Sequence, residues 1–294
     1  MQSKHNARNA RSTRRTPGAP RPGQRLLRSV GLSVYMALGI SLSAGAAGSC
    51  ARPVYLTFDT GHMGVAPLVA EVLRRHEVPV TFFLASERTQ SGGHSLDDQW
   101  AVWWRARVAE GHAFASHTWD HWVLVPEAVP SQGPWRFKVT QGPQRGQVIT
   151  ANAHAYCEQL RRPAQRLMEM TGHRMAAAFR APAGRMSQPL QEAARACGFE
   201  HVGWSPAGFL GDELDSARFT NQHLLQKALR DIRAGDVLVA HLGIWDRKEP
   251  WAPAVLEPLV EALKAKGFCF RTLRDHPVHG AAFARVATMD ELGR

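Results

Sequence analysis

Ser116-His117-Thr118-Trp119-Asp120-His121 carries two imidazoles four residues apart. If the segment turns helically after a strand, both rings project from one face and their nitrogens can meet at one divalent ion. Neutral imidazole suits zinc and other borderline metals. An exposed turn that happens to hold two histidines has the same spacing, so the pair gains its meaning from its company. That company is Asp59, Arg180 and His241, each at the end of a short apolar run. A metal held by imidazoles polarises a carbonyl and brings the pKa of bound water down toward about 7. A carboxylate such as Asp59 can take the proton of that water. A guanidinium such as Arg180 keeps a neighbouring carboxylate ionised and oriented. An imidazole such as His241, titrating near neutrality, can protonate a departing amine. Metal, base and acid together make a metal-assisted amide or ester hydrolase. No serine nucleophile elbow, phosphate-binding loop or dinucleotide glycine fingerprint stands where a rival chemistry would need it.

The elements that must position these residues are legible as alternating patterns. Runs rich in β-formers predict strands over 53–59, 79–85, 112–116, 175–180, 199–204, 236–241 and 268–272. Apolar residues at helical spacing predict helices over 66–76, 99–110, 151–171, 189–196, 221–234 and 253–266, several of them stopped by glycine. Such alternation is the pattern of right-handed βαβ units around a parallel sheet. Asp59, His117, Arg180 and His241 then fall at or just past the carboxyl ends of strands, the edge where chemistry collects in α/β folds. Residues 122–150 fit neither period. They hold several Pro and Gly with Trp135 and Phe137, and read as a long irregular functional loop or insertion.

The formal net charge of +11 does not imply a nucleic-acid partner. Residues 1–28 carry eight Lys or Arg and no acid, which leaves 28 basic against 25 acidic residues in the remainder. The basic start, an apolar run over 30–42 and a small-residue stretch over 43–49 together read as an export signal. An uncleaved membrane attachment is the competing reading, although about 13 strongly apolar residues fall short of the roughly 20 that span a bilayer. The chain therefore divides into a basic N-terminus with its export signal, residues 1–49, and a catalytic domain, residues 50–294. Cys157, Cys197 and Cys269 follow Cys50. Setting Cys50 beside the signal leaves an odd number, at most one bridge and a leftover thiol, with burial as small apolar residues the expectation for most of them.

At this point the residues are similar to a known family. Leu56-Thr57-Phe58-Asp59-Thr60-Gly61, His117-Thr118-Trp119-Asp120-His121, Arg180-Ala181-Pro182-Ala183-Gly184 and Leu238-Val239-Ala240-His241 resemble, in order, the motifs of the NodB-homology polysaccharide deacetylases. The resemblance implies an α/β fold of the distorted (β/α) barrel type and a divalent metal, zinc above all, with cobalt, nickel or manganese as alternatives. It implies removal of acetyl groups from an N- or O-acetylated glycan of the envelope or the extracellular space. It assigns Asp59 as base, His117 and His121 as metal ligands, Arg180 as the partner of Asp59 and His241 as acid. Trp204, Pro182 and Trp135 are candidates to line the sugar site, with Trp122 and Phe137 as further stacking faces. The chain departs from the family where a second, metal-binding acid usually follows Asp59; Thr60 stands there. His62 is one candidate to reach the metal instead. The carboxylate that orients the acid histidine is either Asp212 or Asp215. Two other readings remain open: a glycan-binding relative with impaired catalysis, and an amide hydrolase of a small non-carbohydrate substrate.

Overall fold

The computed structural model describes residues 50–126 and 133–287. The basic and export-signal expectations fall on residues 1–49, outside the described residues. In chain order the elements are β1 (Pro53–Asp59), α1 (Ala66–Arg75), β2 (Thr81–Leu84), α2 (Ala101–Ala109), β3 (Ala113–Ser116), β4 (Trp122–Leu124), β5 (Trp135–Val139), β6 (Val148–Ala151), α3 (Ala153–Thr171), β7 (Ala178–Phe179), α4 (Gln188–Ala196), β8 (Glu200–His201), α5 (Asn221–Asp231), β9 (Val237–His241), α6 (Leu256–Ala265), β10 (Cys269–Phe270) and α7 (Gly280–Ala284).

Seven strands form one parallel sheet in the order β10-β1-β2-β3-β7-β8, with β9 also paired to β1. Strands β1, β2 and β3 are buried almost throughout, as strands covered on both faces must be. Phe58, Phe82, Phe114 and Trp104 are at most 1 % exposed and fill the space under the helices. The helices start where the chain supplies caps: Asn152, Ser187 and Thr220 each accept a first-turn backbone N–H, and Gly172 ends α3 in the left-handed conformation.

The sheet curls toward closure without a regular last ladder. Strand β8 does not pair with β9. Instead the segment that follows β8 runs along β9: Ser205 N donates to Val237 O at 3.0 Å, Val239 N to Gly208 O at 2.9 Å and Leu210 N to Val239 O at 3.3 Å. Gly208 is required there, because a Cβ would lie 1.9 Å from Val237 O. The result is the expected distorted barrel, a curled half-barrel with one irregular seam.

Two sequence expectations are corrected. Residues 122–150 are not irregular: β4, β5 and β6 make a separate antiparallel sheet. The signal was the alternation within β5, where Trp135, Phe137 and Val139 are buried while Arg136 and Lys138 are exposed. Surrounding Pro and Gly obscured it, and residues 127–132 of this stretch lie outside the described residues. The cysteines also differ. Cys50 pairs with Cys269 and Cys157 with Cys197, with Cα atoms 6.0 and 6.1 Å apart, and no described cysteine is free. Cys50 belongs to the folded unit, which makes the count even. Among the described residues no helix is long and apolar enough to cross a membrane.

Candidate active site

Strand register brings the predicted residues together. Asp59 ends β1 opposite His241, the end of β9, and opposite Phe83 of β2. Ser116 ends β3 opposite Phe179 of β7, so His117 and Arg180 leave the sheet side by side. All four residues meet on the carboxyl edge. Asp59, His117, His121 and His241 line one cavity of about 150 Å³ with Glu87, Trp204, Phe209 and Glu213.

Arg180 is fully buried and organises Asp59. Its Nη1 donates to Asp59 Oδ1 at 2.7 Å and to Thr57 Oγ1 at 2.8 Å, and its Nη2 donates to Gly203 O at 3.1 Å. The guanidinium also sits 4.0 Å over the Phe83 ring. Burial pushes the Asp59 carboxyl up, but Arg180 and then His117 and His241 outweigh it and hold the group below its usual range. Asp59 is therefore an ionised carboxylate whose Oδ2 points to His117 Nε2 at 3.6 Å.

The two imidazoles converge, with ring centroids 4.9 Å apart, but not by the helical route predicted from their spacing. Thr118 and His121 take the left-handed conformation, with φ of 59° and 49°, in a tight turn after β3. Trp122 N donates to Thr118 Oγ1 at 2.9 Å and holds that turn. Non-glycine residues in this region carry strain that surrounding structure must sustain, a condition typical of functional sites.

The hydrogen bonds also fix which nitrogens face the cavity. His117 Nδ1 lies 2.9 Å from the Arg180 carbonyl, which can only accept, so Nδ1 carries the proton. Thr140 Oγ1 donates its single proton to His121 O at 3.0 Å, so it accepts from His121 Nδ1 at 2.6 Å. Both rings thus keep a bare Nε2 lone pair. Burial, first of all, lowers both imidazole pKa values to about 4, so neither ring is a cation at neutral pH. A buried lone pair on His117 facing the Asp59 carboxylate sets acceptor against acceptor. A cation between them resolves that arrangement, and neutral imidazoles oriented through Nδ1 are what zinc-type ions bind. The donor set fits the implied metal. The fit is not a closed cage: among the described residues, the group of three ligand atoms within 4.8 Å of one another is the surface set His76, Glu257 and Glu261.

His241 shares its Nδ1 with Asp212 Oδ1 and Oδ2 at 3.1 and 3.2 Å, and Asp212 Oδ2 also accepts from His241 N at 2.6 Å. Burial would lower the His241 pKa, but Asp212 more than compensates and raises it to about 10. The choice left open between Asp212 and Asp215 falls to Asp212; Asp215 Oδ1 accepts from Ala217 N in a turn.

Other candidates move. Trp204 lines the cavity, near the Arg180 guanidinium at 5.7 Å. Pro182 is buried, and Ala183, in the left-handed region at φ 55°, takes its place on the cavity wall. Trp122, Trp135 and Phe137 are 7 %, 2 % and 0 % exposed and belong to the core beside Tyr156, so they offer no face to a sugar. Their aromatic character served packing, which composition alone does not separate from ligand stacking. His62 does not join the imidazole pair; its Nδ1 accepts from Gly64 N at 2.9 Å and its ring meets Trp245. Sequence reasoning passed over Glu87 and Trp245. Glu87 sits in a polar loop with no periodic signal, and Trp245, 57 % exposed, carried no motif.

Comparison with known proteins places the chain in a family. The family description "Polysaccharide deacetylase" matches residues 47–202. The chain belongs to the polysaccharide deacetylase family. A chitooligosaccharide deacetylase of Azorhizobium caulinodans is 28 % identical over 231 residues, covering 75 % of this chain and 92 % of the relative. Peptidoglycan-N-acetylmuramic acid deacetylase PdaA of Bacillus subtilis is 24 % identical over 228 residues, covering 76 % and 71 %. The solved chitin deacetylase of Colletotrichum lindemuthianum superposes with a TM-score of 0.58 at 18 % identity over 77 % of this chain and 88 % of that one, which is agreement of fold.

Proposed function

We propose that this deacetylase family member removes acetyl groups from an N-acetylated glycan outside the cytoplasm, with a divalent ion, zinc foremost, held by His117 and His121. The observation that carries the reading is the pair of bare Nε2 atoms in a cavity shared with an ionised Asp59 and a protonated His241. When bound, the ion supplies Lewis acidity to an acetyl carbonyl and to water. Asp59 accepts the water proton at Oδ2, while Oδ1 stays on Arg180. His241, its Nδ1 held by Asp212, offers the Nε2 proton to the departing amine. Trp204, Phe209 and Ile244 give the cavity apolar walls that limit competing water.

A polymeric substrate is favoured by what lies beside the site. A second cavity of about 400 Å³ shares His241 and Ile244 with the first and continues past His62, Gln90 and Trp251. Trp245 stands at its rim and also borders a third hollow with Arg88 and Arg145. A cavity that continues beyond His241 into a larger neighbouring hollow suits an oligosaccharide better than a small amide. Export is supported by the signal-like residues 1–49 and by two disulfides, which persist in oxidising compartments.

The test is mass spectrometry of chitooligosaccharides and peptidoglycan fragments incubated with the mature domain and zinc. Loss of 42 Da per acetyl group, roughly the mass of ketene by covalent bookkeeping, is expected from the native protein. Activity retained in both Asp59→Ala and His117→Ala would refute the reading. A second reading, a glycan-binding relative without catalysis, rests on Thr60. Near-stoichiometric bound zinc together with acetate release would exclude it.

A further inference from the structure

We propose that the hollow beside His241 binds a carboxylate of the glycan through the charge of Arg247 and Lys248, so that the substrate is an acidic N-acetylated polysaccharide rather than a neutral one. The proposal rests on the glycan reading above and names the substrate class of that site.

Arg247 is 7 % exposed and lines the hollow of about 400 Å³. Its Nη1 donates to Leu214 O at 2.7 Å, and its Nη2 donates to Phe219 O at 3.2 Å and to Asn221 Oδ1 at 2.6 Å. All three acceptors are neutral, and among the described residues no carboxylate pairs with the guanidinium. Its Nε, and the indole Nε1 of Trp251 on the same wall, are enclosed and have no acceptor among the described residues. A buried charge is ordinarily paired, because neutral acceptors do not fully offset its desolvation. The Arg247 charge is therefore left to be balanced by what enters the hollow.

Lys248 adds a second cation to that wall, exposed and with no ion pair among the described residues. Asp212 is the one carboxylate of the lining, and its oxygens are taken by the backbone N–H and Nδ1 of His241. Asp246 and Glu249, beside the two cations in sequence, are exposed and do not line the hollow. Beyond Trp245 the sign repeats. Arg88 and Arg145 line the third hollow, neither side chain has a hydrogen-bond or ion-pair partner among the described residues, and no carboxylate lines it. Cations on both sides of an exposed indole suit an acidic sugar chain, whose apolar ring faces stack while its carboxylates meet guanidinium and ammonium groups. The carboxylate is either part of a ring, as in a hexuronate, or hangs from one, as in a lactyl ether; the recognising chemistry is the same.

The rival is that Arg247 only ties the 214–221 loop to its own. Altering the ligand instead of the protein separates the two. Calorimetry on the metal-free native protein compares three tetrasaccharides: chitotetraose, one alternating N-acetylglucosamine with glucuronate, and one alternating N-acetylglucosamine with its 3-O-lactyl ether. Methyl esters of the two acids are the neutral controls. At least one acid is expected to bind about tenfold more tightly than its ester and than chitotetraose, and the acid that does so names the source. The advantage should shrink as salt rises and vanish in Arg247→Gln, with a melting temperature confirming the fold. Lys248→Gln, at an exposed position, should cut it about threefold, which keeps the site testable where Arg247→Gln melts early. Equal affinity of both acids and their esters overturns the proposal and leaves deacetylation, read separately as acetate release, standing. An ester-sensitive advantage that survives in folded Arg247→Gln, or is untouched in Lys248→Gln, overturns it too, since charge elsewhere then supplies it. Failure of every tetrasaccharide to bind also overturns it, and acetate release by the zinc-loaded protein then decides the deacetylase reading by itself.

Discussion

Asp59 and His241 face one another across a single pair of hydrogen-bonded strands, yet their partners drive them to opposite charge. Arg180 holds the carboxyl ionised, and Asp212 holds the imidazole protonated. That pairing of a base with an acid is tunable and testable one residue at a time. Asp59→Asn keeps the shape and removes the base, and is expected to lower kcat/KM for acetate release by about 10²–10⁴-fold with an unchanged circular dichroism spectrum. Asp212→Asn removes the charge that raises His241. In the native protein His241 stays protonated up to about pH 10. In Asp212→Asn it deprotonates at a lower pH, so the alkaline limb of the kcat/KM profile should shift downward and the loss should be greater at pH 9 than at pH 6. An unmoved limb would assign that limb to another group.

The strands that place these residues were readable, and the turns that aim them were not. The apolar runs ending at Asp59, Ser116 and His241 marked β1, β3 and β9 almost to the residue, because buried parallel strands leave a continuous apolar signature. The His117–His121 convergence was expected from a helix and comes from a left-handed turn at Thr118 and His121. Nothing in the spacing distinguishes those routes, since positive φ at Thr or His is decided by tertiary context. Glu87 was out of reach for the same reason, and Asp212 could be named only alongside Asp215: each sits in a loop whose path is set by bonds to distant backbone. The cysteine pairing likewise needed three dimensions. Cys157 of α3 is tied to Cys197 just past α4, closing a loop with a sequence separation of 40. Replacing both with serine should lower stability by about 2–4 kcal/mol in denaturant titrations, while the cavity residues, which lie on other elements, keep their zinc affinity. Equal stability of the variant would show that the bridge adds nothing to the packing of the two helices.

At the scale of the whole molecule the cavity with Asp59 and His241 adjoins a larger hollow through His241 and Ile244. Trp245 projects at the rim where the hollows meet. Trp245→Ala is expected to raise KM for a chitotetraose or peptidoglycan fragment several-fold with little change in kcat, and to leave KM for an N-acetylated monosaccharide unaltered. Acid should act on the molecule globally. Burial holds His112 and His201, neither of which lines the cavity with Asp59 and His241, at about 4. A histidine whose folded value lies below its unfolded value of about 6.5 takes up its proton more readily in the unfolded chain. Stability should therefore fall as pH drops from about 6.5 to 4, seen as a declining melting temperature of the zinc-free protein.

Arg180 has a consequence for anyone retuning this protein. Its guanidinium grips the base and its carbonyl chooses the tautomer of the first imidazole, so one side chain and its own peptide set two chemically separate properties. Arg180→Lys preserves the charge but offers no fork to span Thr57, Asp59 and Gly203. A substitution at position 180 that shifts this backbone would therefore alter the orientation of His117 as well as the charge beside Asp59. Asp212 is the narrower handle, because its hydrogen bonds go to His241.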